Sequence, residues 1–210
     1  MISLSEILHT IAQALMIPCL IILLVLMAGA VWQIGDIVVE YIAERRKHKC
    51  NVPQLLRDVH AAGADGLAEL IENSGLLRRQ KKALLELAES RNLPKDTLTA
   101  LAERLLATEE ARNARTTSVT DMIAKLGPMF GLLGTLIPLG PGIVALGQGD
   151  TVTLSESMNV AFDTTIAGVI SAAVASVISH IRKRWYNDDM VSLETLMEAV
   201  LEEVTTDVEG

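Results

Sequence analysis

The chain has 210 residues, half of them hydrophobic, with a mean hydropathy of +0.37 and a formal net charge of −8. A soluble domain of this size would be less apolar and would fill its core with more aromatics than the six present, Trp32, Tyr41, Phe130, Phe162, Trp185 and Tyr186. The acidic balance, with no basic arm interleaved with stacking aromatics, excludes nucleic-acid binding.

Residues 1–9 carry no Lys or Arg, and Thr10 to Gly35 is an uncharged run of 26 residues dominated by Ile, Leu, Val, Ala and Met. About 20 apolar residues cross the hydrocarbon as a helix, so this run predicts a first span. A secretory signal peptide would begin with a basic region and have a shorter core. Here the basic cluster, Arg45, Arg46, Lys47 and Lys49, follows the run, which predicts a retained span. Cys19 lies mid-run and Cys50 beside the basic cluster, so both are expected to be reduced and structural.

The long loop that follows reads as helical. Leu67, Leu70 and Ile71, then Leu84, Leu85, Leu87 and Ala88, recur at helical spacing, with breaks at Asn73-Ser74-Gly75 and Asn92-Leu93-Pro94. No Pro or Gly interrupts Lys95 to Lys125, so a helix there can continue into the second apolar run, Leu126 to Gly149, which is 24 residues long. That run is dense in Gly and Pro, which membrane helices tolerate and which permit close helix contact. Pro138 and Pro141 predict a kink in its outer half.

A third run, Ser157 to Ser179, is broken only by Asp163. Its Ala, Ser, Thr and Val content predicts a helix packed against protein rather than lipid. Beyond it, Met190, Leu193, Leu196, Met197, Val200, Leu201 and Val204 mark one apolar face of a closing helix.

Lys and Arg set the orientation. Of 18, 15 fall between Arg45 and Lys125 and the other three are Arg182, Lys183 and Arg184. By the positive-inside rule the loop and the C-terminal tail are cytoplasmic and the N-terminus is outside. The expectation is an all-α integral membrane protein with three transmembrane helices and a helical cytoplasmic domain. Its parts are an external tail (1–9), a first span (10–36), a cytoplasmic loop (37–125), a second span (126–149), a short external loop (150–156), a third span (157–180) and a cytoplasmic C-terminal helix (181–210).

No catalytic set is present. His9, His48, His60 and His180 are scattered, and no phosphate loop, Cys-x-x-Cys or Ser-His-Asp arrangement occurs, so neither an enzyme nor a cofactor or metal is expected. Asp163 stands out, because a carboxylate in a span costs about 2.5–3.5 kcal/mol to insert and usually faces a bundle interior or a water path. The bland alternative is that it reaches interfacial water. Asn159 one turn before it and Thr164 and Thr165 after it enlarge the polar patch. Thr135 and Thr165 taken singly could each bond their own helix. Gly127, Gly131, Gly134 and Gly168 suit close helix packing, with a pore-lining role for the first three as the alternative.

These residues carry a resemblance. Gly127-Pro128-Met129-Phe130-Gly131-Leu132-Leu133-Gly134-Thr135-Leu136 resembles the second-span signature of the MotA/TolQ/ExbB proton channel family, closest to its ExbB and TolQ branch. Ala161-Phe162-Asp163-Thr164-Thr165-Ile166-Ala167-Gly168-Val169 is similar to that branch's third-span Ala-Leu-x-x-Thr-Ala-x-Gly-Leu segment. The resemblance implies a homopentamer in a prokaryotic cytoplasmic membrane. It would surround two copies of a single-span partner of the ExbD, TolR or MotB kind, which carries a membrane aspartate. It also implies that ion flow, of protons or sodium, drives mechanical work, and that Thr135 and Thr165 line the ion path. Where the family has a third-span glutamate this chain has Val160, and Asp163 stands three residues later. The competing function is a non-conducting membrane scaffold that recruits cytoplasmic proteins.

Overall fold

The structure, a computed structural model, describes residues 4–45 and 51–209. The greater part of the predicted basic cluster, Arg46, Lys47 and Lys49, lies outside the described residues, as do His48 and Cys50. The elements are helices α1 (Leu4–Ala14), α2 (Met16–Glu40), α3 (Val52–Asn73), α4 (Arg78–Glu89), α5 (Lys95–Gly147) and α6 (Thr151–Glu209), with a π-helical turn, Tyr41–Arg45, closing α2. The described residues contain no strand. Three helical stretches, Glu6–Ala43, Lys95–Gly147 and Thr151–Thr206, are long and apolar enough to cross a membrane.

Local sequence explains where helices stop and where they do not. The α1–α2 junction at Leu15 sits three residues before Pro18, whose missing N–H leaves the Ala14 carbonyl without its usual partner. Helices α3 and α4 end at the two predicted breaks. Helix α5 contains Pro128, Pro138 and Pro141 yet is helical throughout. One of the carbonyls these prolines orphan is compensated: Ile137, four residues before Pro141, accepts a hydrogen bond from the Gln13 side-chain amide at 3.5 Å. Helix α6 runs through the predicted third span and the predicted closing helix as one element of 59 residues.

The chain forms two compact units, one of residues 1–37 and 117–181 and the other of 38–116 and 182–210. In the first, α2 lays Cys19, Leu23, Leu26 and Ala30 against Ile123 and Ile137 of α5 and Ala175 of α6. The opposite faces of these helices carry Ile21, Leu24, Leu132, Leu136, Ile166 and Val169 in the open. Exposed apolar surface of this extent suits lipid or another protein chain.

The second unit has an ordinary apolar core. Leu55, Val59, Leu67 and Ile71 of α3, Leu84 and Leu87 of α4 and Leu98 of α5 pack on Leu193, Leu196, Met197, Val200 and Val204 of α6. Gly63 interrupts α3 with φ 61° and ψ 176°, a conformation essentially confined to glycine. Gln80 caps α4 by accepting from the Leu77 N–H at 3.2 Å and donates to the Asp189 carbonyl of α6 at 3.0 Å.

Candidate functional site

Helices α5 and α6 of the membrane unit run antiparallel along a seam of small residues. A β-carbon on Gly127 would lie 2.7 Å from the Gly168 carbonyl oxygen, and one on Gly134 would lie 2.6 Å from the Thr164 β-carbon. One on Gly168 would lie 2.5 Å from the Gly127 oxygen and 2.9 Å from the Gly131 α-carbon. Backbone meets backbone here. The four glycines read from the sequence thus sit together in one contact between the two helices.

The polar residues read from the sequence divide into three environments. Thr164 is buried in the seam against Gly134, and its hydroxyl donates to the carbonyls of Val160 and Ala161 at 2.9 and 3.0 Å. Thr135 and Thr165 are half-buried on the flanks of the seam. The Thr135 hydroxyl donates to Leu132 at 2.7 Å and the Thr165 hydroxyl to Ala161 at 3.0 Å. Each keeps its oxygen lone pairs available as an acceptor.

Asp163 and Asn159 occupy the third environment, an exposed face of α6. Asp163 and Thr165 are two residues apart, so they point about 160° away from each other. Within one chain the two therefore flank the seam on opposite sides.

A residue not singled out from the sequence joins this face. Glu156 is exposed, and it stands three residues before Asn159 and seven before Asp163, a spacing that puts all three in line. The stripe begins near Asp150, the cap of α6, whose carboxylate accepts from the amides of Val152 and Thr153 at 3.1 Å each. The Thr153 hydroxyl, and then these amides, hold the Asp150 carboxyl below the usual carboxylate range. Apart from Asn159, the exposed neighbours of Asp163 are apolar: Phe162, Ile166 and Ile170.

A second polar group, in the other unit, was also not singled out. Arg182 is 1% exposed, and its Nε donates to Glu40 at 3.1 Å. Tyr186 hydrogen-bonds the same carboxylate, and burial, then the Glu40 charge, pushes its phenol far up, so it stays a donor. Beside it Tyr41 stacks on Trp185 with ring centroids 6.1 Å apart. The sequence marks Arg182 as part of a juxtamembrane cationic cluster; here it is a buried ion-pair partner.

No group of three or more metal-ligating side chains occurs among the described residues. No curated protein matches the chain. A family model does, over residues 70–195, which takes in α4, α5, the glycine–threonine seam, Asp163 and most of α6. The chain belongs to the MotA/TolQ/ExbB proton channel family.

Proposed function

We propose that this protein is the pore-forming subunit of an ion-driven membrane motor, coupling proton or sodium flow to mechanical work on a single-span partner. The observation that carries the reading is the Glu156–Asn159–Asp163 face. Asp163 lies six residues inside an apolar run and is exposed on the single chain, among Phe162, Ile166 and Ile170. Lipid contact would cost about 2.5–3.5 kcal/mol, so another chain or water must cover that face. A ring of copies, each turning this face to a neighbour or a central space, supplies both. In such a ring the Asp163 flank of one α6 can also approach the Thr165 flank of the next.

The proposed assembly is a homopentamer enclosing a partner helix with a membrane carboxylate. A carboxylate entering that space is partly desolvated, which raises its pKa and lets it take up and release a proton as its surroundings alternate. Threonine hydroxyls serve both halves of such a cycle, donating to the ionised form and accepting from the protonated one. The protein carries out no covalent catalysis and needs no cofactor in this scheme. It sits in the prokaryotic inner membrane with its N-terminus outside and its C-terminus, α3 and α4 in the cytoplasm.

The test is reconstitution with the co-expressed partner. Proton or sodium flux above that of empty liposomes, with native mass spectra showing five copies, is expected. A monomer or dimer, or a stable complex with no flux, would favour the scaffold. Topology is tested by single cysteines at Ser5, Asp150 and Thr206. The first two should label from outside intact cells and the third should not; labelling at 206 would reverse the orientation.

A further inference from the structure

The α5–α6 seam changes chemistry along its length. Its glycine stretch runs from Gly134 to Gly127, and the same face of α5 continues at steps of three and four residues to Ala124, Thr120 and Thr117. Thr117 and Thr120 are buried, Thr120 completely. Across from them on α6, Ser179 is buried and its hydroxyl donates to the Asp121 carboxylate. Hydroxyls and a carboxylate thus replace glycines at the end of the seam that the Lys and Arg distribution assigns to the cytoplasm.

Thr120 differs from its neighbours in how its hydroxyl is used. Thr108 and Thr116 on α5, and Thr165 and Ser171 on α6, each donate to the carbonyl four residues back. That bond is at hand for any helical threonine. Among the described residues, Thr120 Oγ1 is the buried side-chain polar atom with no hydrogen-bond partner in the protein. A hydroxyl that leaves its own helix unbonded and turns into a polar seam calls for a partner other than this chain, such as water or an ion.

We propose that this end of the seam is a hydrated ion exit, lined by Thr117, Thr120, Asp121 and Ser179, through which ions crossing the polar centre reach the cytoplasm. The inference rests on the ion-conducting reading above and adds the inner half of the route. Asp121 adds to this lining a carboxylate that accepts the Ser179 hydroxyl. Thr120 can donate and accept at once, so it can hold a water in a proton chain or offer an oxygen to sodium.

Thr120→Val keeps the side chain's shape and removes the hydroxyl. If the hydroxyl only fills space, removing it leaves flux intact and stability equal or higher. The conduit predicts at least about a tenfold loss of proton flux, read by a pH dye inside liposomes holding the chain with its partner, as expected when a barrier loses one ligand. Thermal stability in detergent should not fall, and Thr120→Ser should restore flux. A second measurement needs no conduction. Thr120→Cys should react with 2-aminoethyl methanethiosulfonate applied from the inner side, above the background of the parent chain's own cysteines. Normal wild-type flux combined with an unaffected Thr120→Val, or with an unlabelled Cys at 120, would overturn the conduit alone. Wild-type flux no higher than that of empty liposomes would remove the ion-conducting reading and the conduit together.

Discussion

Replacing Gly168 by alanine should unfold or disassemble the membrane unit, while the same change at Gly131 should be close to neutral. The added methyl at 168 would stand 2.5 Å from the Gly127 oxygen, 2.9 Å from the Gly131 α-carbon and 3.1 Å from its nitrogen. All three are backbone atoms, so no rotamer can relieve the clash, and the helices must separate along the seam. Overpacking a tight contact costs about 1–3 kcal/mol, and more when backbone must move. Alanine's better helix propensity returns only about 0.8–1 kcal/mol. At Gly131 the nearest atom would be 3.4 Å away, an ordinary contact, so the propensity gain offsets what remains. Size-exclusion profiles and thermal melts in detergent separate the two variants. Equal behaviour would mean that the seam is not the contact that holds α5 to α6.

Arg182→Met should destabilise the second unit by about 3 kcal/mol, because it strands a carboxylate in a site that is mostly closed to water. Glu40 is 16% exposed and keeps its bond from Tyr186, which puts the cost at the low end for a broken buried pair. The double variant Glu40→Gln with Arg182→Met should recover most of the loss, since neither charge then remains buried. Denaturant unfolding in micelles reads both. A single variant as stable as the wild type would show that the pair contributes nothing net.

How much of this was legible in the residues follows the physics of each feature. Three spans follow from apolar runs long enough to cross a bilayer, two of them uncharged and the third broken only by Asp163, and the family from Gly127-Pro128 through Thr135 and from Ala161 through Val169. The core faces of the second unit are readable too, because Leu193, Leu196, Met197, Val200 and Val204 recur with helical period and all become buried. Gly63 was missed, since nothing local separates it from Gly66 in the same alanine-rich helix or announces a φ of 61°.

The Glu40–Arg182 pair was missed for a different reason. Its partners are 142 positions apart, and each reads locally as an ordinary charge at the end of an apolar run. Glu156 was passed over because it lies at the foot of the third run, where an acid is unremarkable. It gains meaning only when the helix lines it up with Asn159 and Asp163. Thr164 reads as part of the polar patch by adjacency to Asp163, and its burial against Gly134 becomes visible only in the packed helices.

The central claim is that polar side chains of α5 and α6 conduct ions, and it is tested most directly by flux through three variants of the reconstituted complex. Thr135→Val and Thr165→Val remove hydroxyls without changing shape, and Asp163→Asn removes the carboxyl group while keeping the side chain's size. Each variant should assemble like the wild type, because Thr135, Thr165 and Asp163 all lie outside the buried glycine seam. Each should reduce ion flux at least about tenfold, as expected when a ligand or relay is lost at the barrier. Wild-type flux from all three would contradict the account, and would leave a membrane scaffold whose threonines only bond their own helices.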